Sequence, residues 1–144
     1  MSGAELVCLA LTIYYEARSE PLQGQVAVAQ TVLNRVHDPS FPNSICEVVR
    51  QGGTRRYRCQ FSYYCDGRPE TPAHRRAWRR AKVIAKLTES GVLDAKIGNA
   101  THYHTDYSHP FWSSKYTLVT TVGRHLFYQR PERTLVAQKM AADL

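Results

Sequence analysis

Two apolar stripes of helical period, separated by Ser19-Glu20-Pro21, constrain this chain more than any other feature. Leu6, Leu9, Ala10, Ile13 and Ala17 recur at steps of three and four over 5–18, and Leu22, Val26, Ala29, Leu33 and Val36 do the same until Asp38-Pro39. The spacing predicts two amphipathic helices joined by a proline-broken turn, packed as a tight pair. Ser44 with Glu47 three residues later reads as a capping box for a short helix over 45–51, stopped by Gly52-Gly53. Tyr57 to Cys65 is aromatic and compatible with a strand, and Asp66-Gly67 supplies a turn. Thr71-Pro72 predicts the opening of a third long helix, which runs to about Thr88 with Ala77, Ala81, Ile84 and Thr88 on one face. Beyond Gly98 the pattern turns to β, at Ala100 to Thr105, Tyr116 to Val122 and Gly123 to Tyr128. Helices lead and strands follow, so the expected class is α+β, mainly helical, with a small antiparallel β-sheet packed at one side.

The 144 residues suit one domain, 1–144, with 129–144 as a peripheral C-terminal extension. With 43% apolar, 10% aromatic and 22% charged residues the composition is globular and excludes disorder as the main reading. The longest mainly apolar stretch, Leu6 to Tyr15, is too short for a bilayer span and has no basic flank or cleavage site. If the protein is exported, its signal is expected upstream of Met1. Nineteen Lys and Arg against twelve Asp and Glu leave a net charge of +7, and fourteen of the cations are Arg. An anionic polymer is the implied partner, and charge alone does not choose among nucleic acid, a membrane surface and a bacterial cell wall. Cys8, Cys46, Cys59 and Cys65 lack the paired spacing of a zinc ribbon and allow three two-bridge pairings. Three of them fall within 46–65, which suggests a staple there and an oxidising compartment.

Four groups of residues could carry chemistry. Glu16 sits near the end of an apolar helix among aromatic residues, where burial raises a carboxyl pKa into the range of a general acid, as glycosidic cleavage requires. The bland alternative pairs it with Arg18 or Arg35 on the surface. Glu20, four residues on, is the natural second carboxylate, although the break at Pro21 leaves its distance from Glu16 unreadable. His102 and His104 share a strand face, and Asp106 or His109 could complete a zinc site, while stacking and hydrogen bonding explain the same residues without metal. His125 reads as a satisfied buried histidine. Phe61, Tyr63, Tyr64, Tyr103, Tyr107, Phe111 and Trp112, interleaved with Gln60, Ser62, Asp66 and Ser113, suit a sugar-binding cleft, and strand alternation predicts that Phe61, Tyr63 and Cys65 differ in exposure from Ser62 and Tyr64. Arg55, Arg56 and Arg58, with Arg75, Arg76, Arg79, Arg80 and Lys82, form basic runs that could meet phosphates or solvent, but no nucleic-acid motif accompanies them.

The order of motifs resembles the bacterial cell-wall hydrolases of the SleB/CwlJ type, known from spore cortex-lytic enzymes. The likeness runs over about 6–128: Ile13-Tyr14-Tyr15-Glu16-Ala17-Arg18-Ser19-Glu20, then Gly24-Gln25-Val26-Ala27-Val28-Ala29 with Val32-Leu33-Asn34-Arg35-Val36, then Phe41-Pro42-Asn43-Ser44-Ile45-Cys46. Cys59-Gln60-Phe61-Ser62-Tyr63-Tyr64-Cys65-Asp66-Gly67, Ala100-Thr101-His102-Tyr103-His104 and Gly123-Arg124-His125-Leu126-Phe127-Tyr128 follow in the family's order. The resemblance implies a lysozyme-like α+β fold, peptidoglycan glycan strands as substrate and Glu16 as the catalytic acid, working as a lytic transglycosylase without metal or cofactor. Gln25, Ser62, Tyr63, Tyr64, Thr101, His102, Tyr103 and Trp112 become the candidate substrate contacts. A monomer in the cell envelope, periplasmic or secreted, with no nucleic-acid partner, is expected. The histidines at 102 and 104, the arginine-rich insert at 54–58 and the Cys59 and Cys65 pair depart from spore enzymes and point to a Gram-negative relative or a phage-derived lysin made in the cytoplasm. The alternatives kept open are a zinc-dependent peptidoglycan hydrolase using His102 and His104 and a non-catalytic basic binding module.

Overall fold

A computed structural model describes residues 2–52 and 59–131. Helix α1 spans Gly3–Ala17 and begins where the Ser2 hydroxyl accepts from the Glu5 amide at 3.2 Å, a side-chain cap that satisfies one orphan N–H of the first turn. The expected break follows it, and α2 spans Leu22–Val36. Ser44 caps α3, Ile45–Val49, by accepting from the Glu47 amide at 3.3 Å, and Gly52 at φ +80° stands just beyond it. Helix α4, Arg75–Glu89, starts after His74, three residues later than Thr71-Pro72 predicted. The His74 amide donates to the Tyr14 hydroxyl at 3.0 Å, so a tertiary contact from α1 sets the entry of the helix.

Helices α1, α2 and α4 enclose the main core, where Leu9, Ala10, Ile13, Val26, Ala29, Val32, Ala81 and Ala85 are fully buried. The stripe predicted for α1 holds, with Leu6 at its half-exposed edge. Helix α2 departs from its stripe: Leu22 is exposed, whereas Gly24 to Ala29, Thr31, Val32 and Arg35 are buried almost all round. Its second apolar side, through Ala27, meets Ile97, Ala100 and Phe127 under the sheet. A helix wrapped on two sides needs more than one apolar stripe, and the uncharged run 24–29 is its trace in the sequence.

The sheet holds β1 (His102–Thr105), β2 (Thr117–Val122) and β3 (His125–Gln129), all antiparallel, in the order β1-β3-β2. Residues Gly123 and Arg124 connect β2 to β3, and Gly123 at φ +59° supplies the positive dihedral that tight hairpins require. Pairing of His102 with Tyr128 and of Thr105 with His125 fixes the register of β1. Disulfides join Cys8 to Cys46, tying α1 to α3, and Cys59 to Cys65. Only the second lies within the predicted staple; Cys46 reaches back to the first helix instead.

The strand expected over Tyr57 to Cys65 is not formed in its described part. Phe61 is extended, and Ser62–Cys65 is a 3-10 turn, within which Cys65 is bridged back to Cys59. Such a short covalent loop curls the chain away from any ladder. Phe61 and Tyr63 are nonetheless buried at 1% and 7% while Ser62 is exposed, so the alternation in exposure survives over 61–63 and is lost beyond it, where Tyr64 and Cys65 are both half-buried. Tyr57, Arg58, the remainder of the insert at 54–58, and residues 132–144 of the expected C-terminal extension lie outside the described residues. Before them, β3 runs to Gln129, and Arg130 pairs with Asp38 at 2.9 Å.

Candidate active site

Position 16 is in the last turn of α1, one residue before the helix ends, so its side chain leaves the helical core and points toward β1. There the hydroxyl of Tyr103 donates to Glu16 Oε1 at 2.6 Å. Tyr103 packs against the helical core, while its strand neighbours His102 and His104 both meet the Trp112 ring. Glu16 and Tyr103 line a cavity of about 230 Å³ with Arg35, Gln60, Phe61, His102 and Trp112. Burial raises the pKa of Glu16, and the Tyr103 hydrogen bond and the nearby positive charge of Arg35 oppose that shift without cancelling it. The outcome is a carboxyl group that keeps its proton to higher pH than an exposed glutamate.

His102 is neutral through the physiological range. Burial, together with the charges of Arg35 and Arg130, pushes its pKa down to about 4. Its Nδ1 is 2.9 Å from the Thr101 hydroxyl, and its ring stands edge-on to Trp112 and Tyr116. His104 stacks on Tyr128, with Nε2 2.9 Å from the Tyr128 hydroxyl and Nδ1 2.7 Å from the Thr105 carbonyl. Both of its nitrogens are engaged, Asp106 pairs with Arg124, and among the described residues no three His, Cys, Asp or Glu side chains gather as a metal site. The histidines belong to an aromatic cluster around Trp112, which is the metal-free account of them.

Glu20 does not line the Glu16 cavity. Its carboxylate is 3.2 Å from Nδ1 of the buried His125, off the line of a hydrogen bond, and packs against Gly24 and Gly123. A Cβ on Gly123 would come within 2.8 Å of Glu20 Oε2, a side-chain end that can give way, so it is the positive φ that requires this glycine. His125 in turn stands edge-on to the Tyr103 ring at 5.2 Å, and the Glu20 pair therefore supports the tyrosine that holds Glu16.

Of the predicted contacts, His102, Tyr103 and Trp112 meet Glu16 at the cavity. Thr101 is buried behind it, binding the His102 ring through its hydroxyl and Arg35 through its carbonyl. Gln25 does not face Glu16: it is 1% exposed and donates to the Glu20 carbonyl at 3.0 Å, closing the turn between α1 and α2. Ser62 is exposed and away from the cavity lining, and Tyr64 packs half-buried against the helical core. Tyr63 stacks on Tyr15 and bonds the Thr12 hydroxyl at 2.6 Å, where it lines a second cleft of about 290 Å³ with Arg18, Asp66 and Arg68. Gln60 and Phe61, from the aromatic group expected to form a sugar-binding cleft, complete the Glu16 cavity together with Arg35, which the sequence did not offer as a contact. The available signal for Arg35 was a single cation on the buried side of an otherwise uncharged helix.

A helical body carrying a half-buried acid that faces a three-stranded sheet is the lysozyme-like α+β arrangement. The chain belongs to the cell wall hydrolase family, whose model matches residues 19–128. It is 31% identical over 130 residues, 88% of its length, to a spore cortex-lytic enzyme of Halalkalibacterium halodurans, of which this covers 35%. A shorter stretch of 48 residues, 33% of this chain, is 48% identical to 16% of the spore cortex-lytic enzyme of Bacillus subtilis. The chain thus spans well under half the length of these curated relatives. The fold matches the catalytic domain of the Bacillus cereus SleB protein with a TM-score of 0.72 at 29% identity, over 89% of this chain and 91% of that one. It also matches the catalytic domain of the germination-specific lytic transglycosylase SleB of Bacillus anthracis, with a TM-score of 0.71 at 30% identity, over 90% and 97%.

Proposed function

We propose that the protein cleaves peptidoglycan glycan strands between N-acetylmuramic acid and N-acetylglucosamine as a lytic transglycosylase, with Glu16 as its only acid and base. The observation that carries this reading is the solitary Glu16 carboxyl, proton-holding by burial, in a cavity whose lining contains no other carboxylate among the described residues. Glu16 donates its proton to the bridging oxygen as the bond to the muramic C1 breaks. The resulting carboxylate, steadied by the Tyr103 hydroxyl, then takes the proton from the muramic C6 hydroxyl as that oxygen closes on C1. The product is a 1,6-anhydro ring, the proton count returns to its start, and neither water nor a second carboxylate enters. Metal and cofactor have no step in this sequence. The engagement of Glu20 with His125 agrees with a one-carboxylate mechanism.

His102 and Trp112 supply neutral, partly apolar surfaces for sugar rings, and Tyr63 with Arg18 extends the binding track along the second cleft. The likeness to the germination-specific lytic transglycosylase of Bacillus anthracis supports the same reaction. Substrate and family together call for an extracytoplasmic place of action, consistent with two disulfides. No helix among the described residues is long and apolar enough to cross a membrane. A single chain is sufficient for the proposed site, and nucleic acid has no part in it.

Mass spectrometry of the soluble fragments released from purified peptidoglycan tests the proposal. Fragments ending in 1,6-anhydro-muramic acid, lost in Glu16→Gln and indifferent to chelator, are expected. Reducing-end muramic acid would replace the intramolecular step by hydrolysis, chelator-sensitive release would revive a zinc enzyme on His102 and His104, and binding without fragments would leave a basic binding module.

A further inference from the structure

Among the described residues, Arg35 is a buried charge with a donor left unpartnered. It is 2% exposed, and its Nε donates to the Thr101 carbonyl at 2.7 Å. Its Cζ lies 4.8 Å from the Phe41 ring centroid and 5.5 Å from that of Phe61. These rings favour the cation through their faces but do not satisfy its remaining N–H groups as hydrogen-bond acceptors would. No carboxylate among the described residues lies within ion-pair distance, and Nη1 is buried without an acceptor. Buried polar groups are almost always paired, and an orphaned guanidinium donor is costly unless something else completes it. Arg35 also lines the cavity that holds Glu16. With Nε spent on Thr101, the Nη edge is the part of the group left to meet a ligand there. Gln60 and neutral His102 share the lining, and no other cation among the described residues does.

We infer that the Nη edge of Arg35 is an acyl-oxygen receptor, binding a carbonyl or carboxylate oxygen carried by the sugar that sits over Glu16. This rests on the glycan-cleavage reading above and adds to it the residue that senses the sugar's substituent. A planar fork of N–H donors fits a planar acyl oxygen, whereas a bare hydroxyl leaves much of the donor capacity unmet. Two substituents of the substrate carry such an oxygen, the 2-acetamido group and the 3-O-lactyl group.

The test uses the full chain with Glu16→Gln, which holds glycan without cleaving it, and reads the Arg35 guanidinium by arginine side-chain NMR. The probes are a peptide-free tetrasaccharide of alternating N-acetylglucosamine and N-acetylmuramic acid, chitotetraose, and de-N-acetylated chitotetraose. The Arg35 resonances are expected to shift with the muramyl tetrasaccharide and to stay still with the de-N-acetylated oligomer. A shift with chitotetraose as well assigns the acetamido oxygen, and a shift with the muramyl ligand alone assigns the lactyl oxygen. In the same background Arg35→Lys and Arg35→Gln should weaken the muramyl ligand by about tenfold more than the de-N-acetylated one. An equal loss for both ligands would reduce Arg35 to a packing residue. Muramyl ligand that moves the Trp112 and Tyr103 resonances while the Arg35 guanidinium stays silent would overturn this inference and leave the glycosidase reading standing. Absence of glycan binding and of cleavage by the wild type would overturn both.

Discussion

The Tyr103 hydroxyl, 2.6 Å from Glu16 Oε1, ties the candidate acid on the first helix to the first strand, 87 residues away in sequence. It acts on the carboxylate form and so pulls the Glu16 pKa down against the larger upward push of burial. Removing it in Tyr103→Phe leaves burial less opposed, and Glu16 should hold its proton to still higher pH. On the proposed mechanism the free enzyme needs Glu16 protonated, so the alkaline limb of kcat/KM should move up by about one pH unit. The maximum rate should fall by about tenfold, because the carboxylate that receives the C6 proton loses its support. A pH–rate profile of the two proteins on soluble glycan decides this, and an alkaline limb that stays put or moves down would remove Tyr103 from the tuning of Glu16.

Glu16→Gln should abolish cleavage and make the protein more stable at neutral pH. The folded-state pKa of Glu16 is raised by burial, so the folded chain holds the proton more tightly than the unfolded one. The stability linked to that proton is present below the ordinary glutamate pKa and is lost as pH rises through the raised value. Glutamine carries no such titration and still accepts from Tyr103. The variant is therefore expected to gain about 1 kcal/mol, or roughly 2–4 °C in Tm, above that window, and to show little difference below it. Thermal unfolding at pH 3.5 and pH 8, chosen to bracket about the ordinary glutamate pKa and the raised one, measures both ends. A gain equal at both would mean the effect is not the titration of Glu16.

Local rules carried most of the architecture. The paired helices, the Ser44 cap and the strands near 102, 117 and 125 follow from spacing and caps, which neighbouring residues determine among themselves. Where long-range partners act, the reading failed: Tyr14 delays α4 to Arg75, the Cys59–Cys65 bridge accompanies a 3-10 turn in place of a strand, and the sheet buries the second side of α2. The site divides in the same way. Glu16 is legible as an acid in an apolar helix, and His102, Tyr103 and Trp112 as a ring-rich surface. Gln25 was placed wrongly because helical spacing fixes which side a residue takes but not which neighbour occupies it; the Glu20 carbonyl does.

Glu20 should prove structural. Glu20→Gln is expected to retain glycan cleavage within about threefold, because its partner is His125 and not the scissile bond. Gly123→Ala, in contrast, should cost about 1–3 kcal/mol, since alanine meets an unfavourable positive φ there. Denaturant unfolding together with activity on peptidoglycan separates the two. Loss of cleavage in a stably folded Glu20→Gln would bring back a second catalytic carboxylate.

The two disulfides should separate stability from catalysis. Cys8–Cys46 closes a separation of 38 residues and joins α1 to α3, and neither cysteine lines the Glu16 cavity. Its loss in Cys8→Ala with Cys46→Ala releases a long loop in the unfolded chain and should cost about 4 kcal/mol, read as a fall in Tm of roughly 10 °C, with kcat/KM little changed at low temperature. Cys59–Cys65 closes a separation of only 6 residues, for which the same entropic argument allows about 2 kcal/mol. It encloses Gln60 and Phe61, however, and both line the cavity. Cys59→Ala with Cys65→Ala should therefore lower kcat/KM by about tenfold, more than its smaller effect on Tm suggests, because misplacing cavity walls acts directly on substrate alignment. The two variants, compared by thermal unfolding and by initial rates, should rank in opposite orders. The same order in both measurements would show that the 59–65 loop contributes only stability, and that Gln60 and Phe61 do not shape the site where the sugar binds.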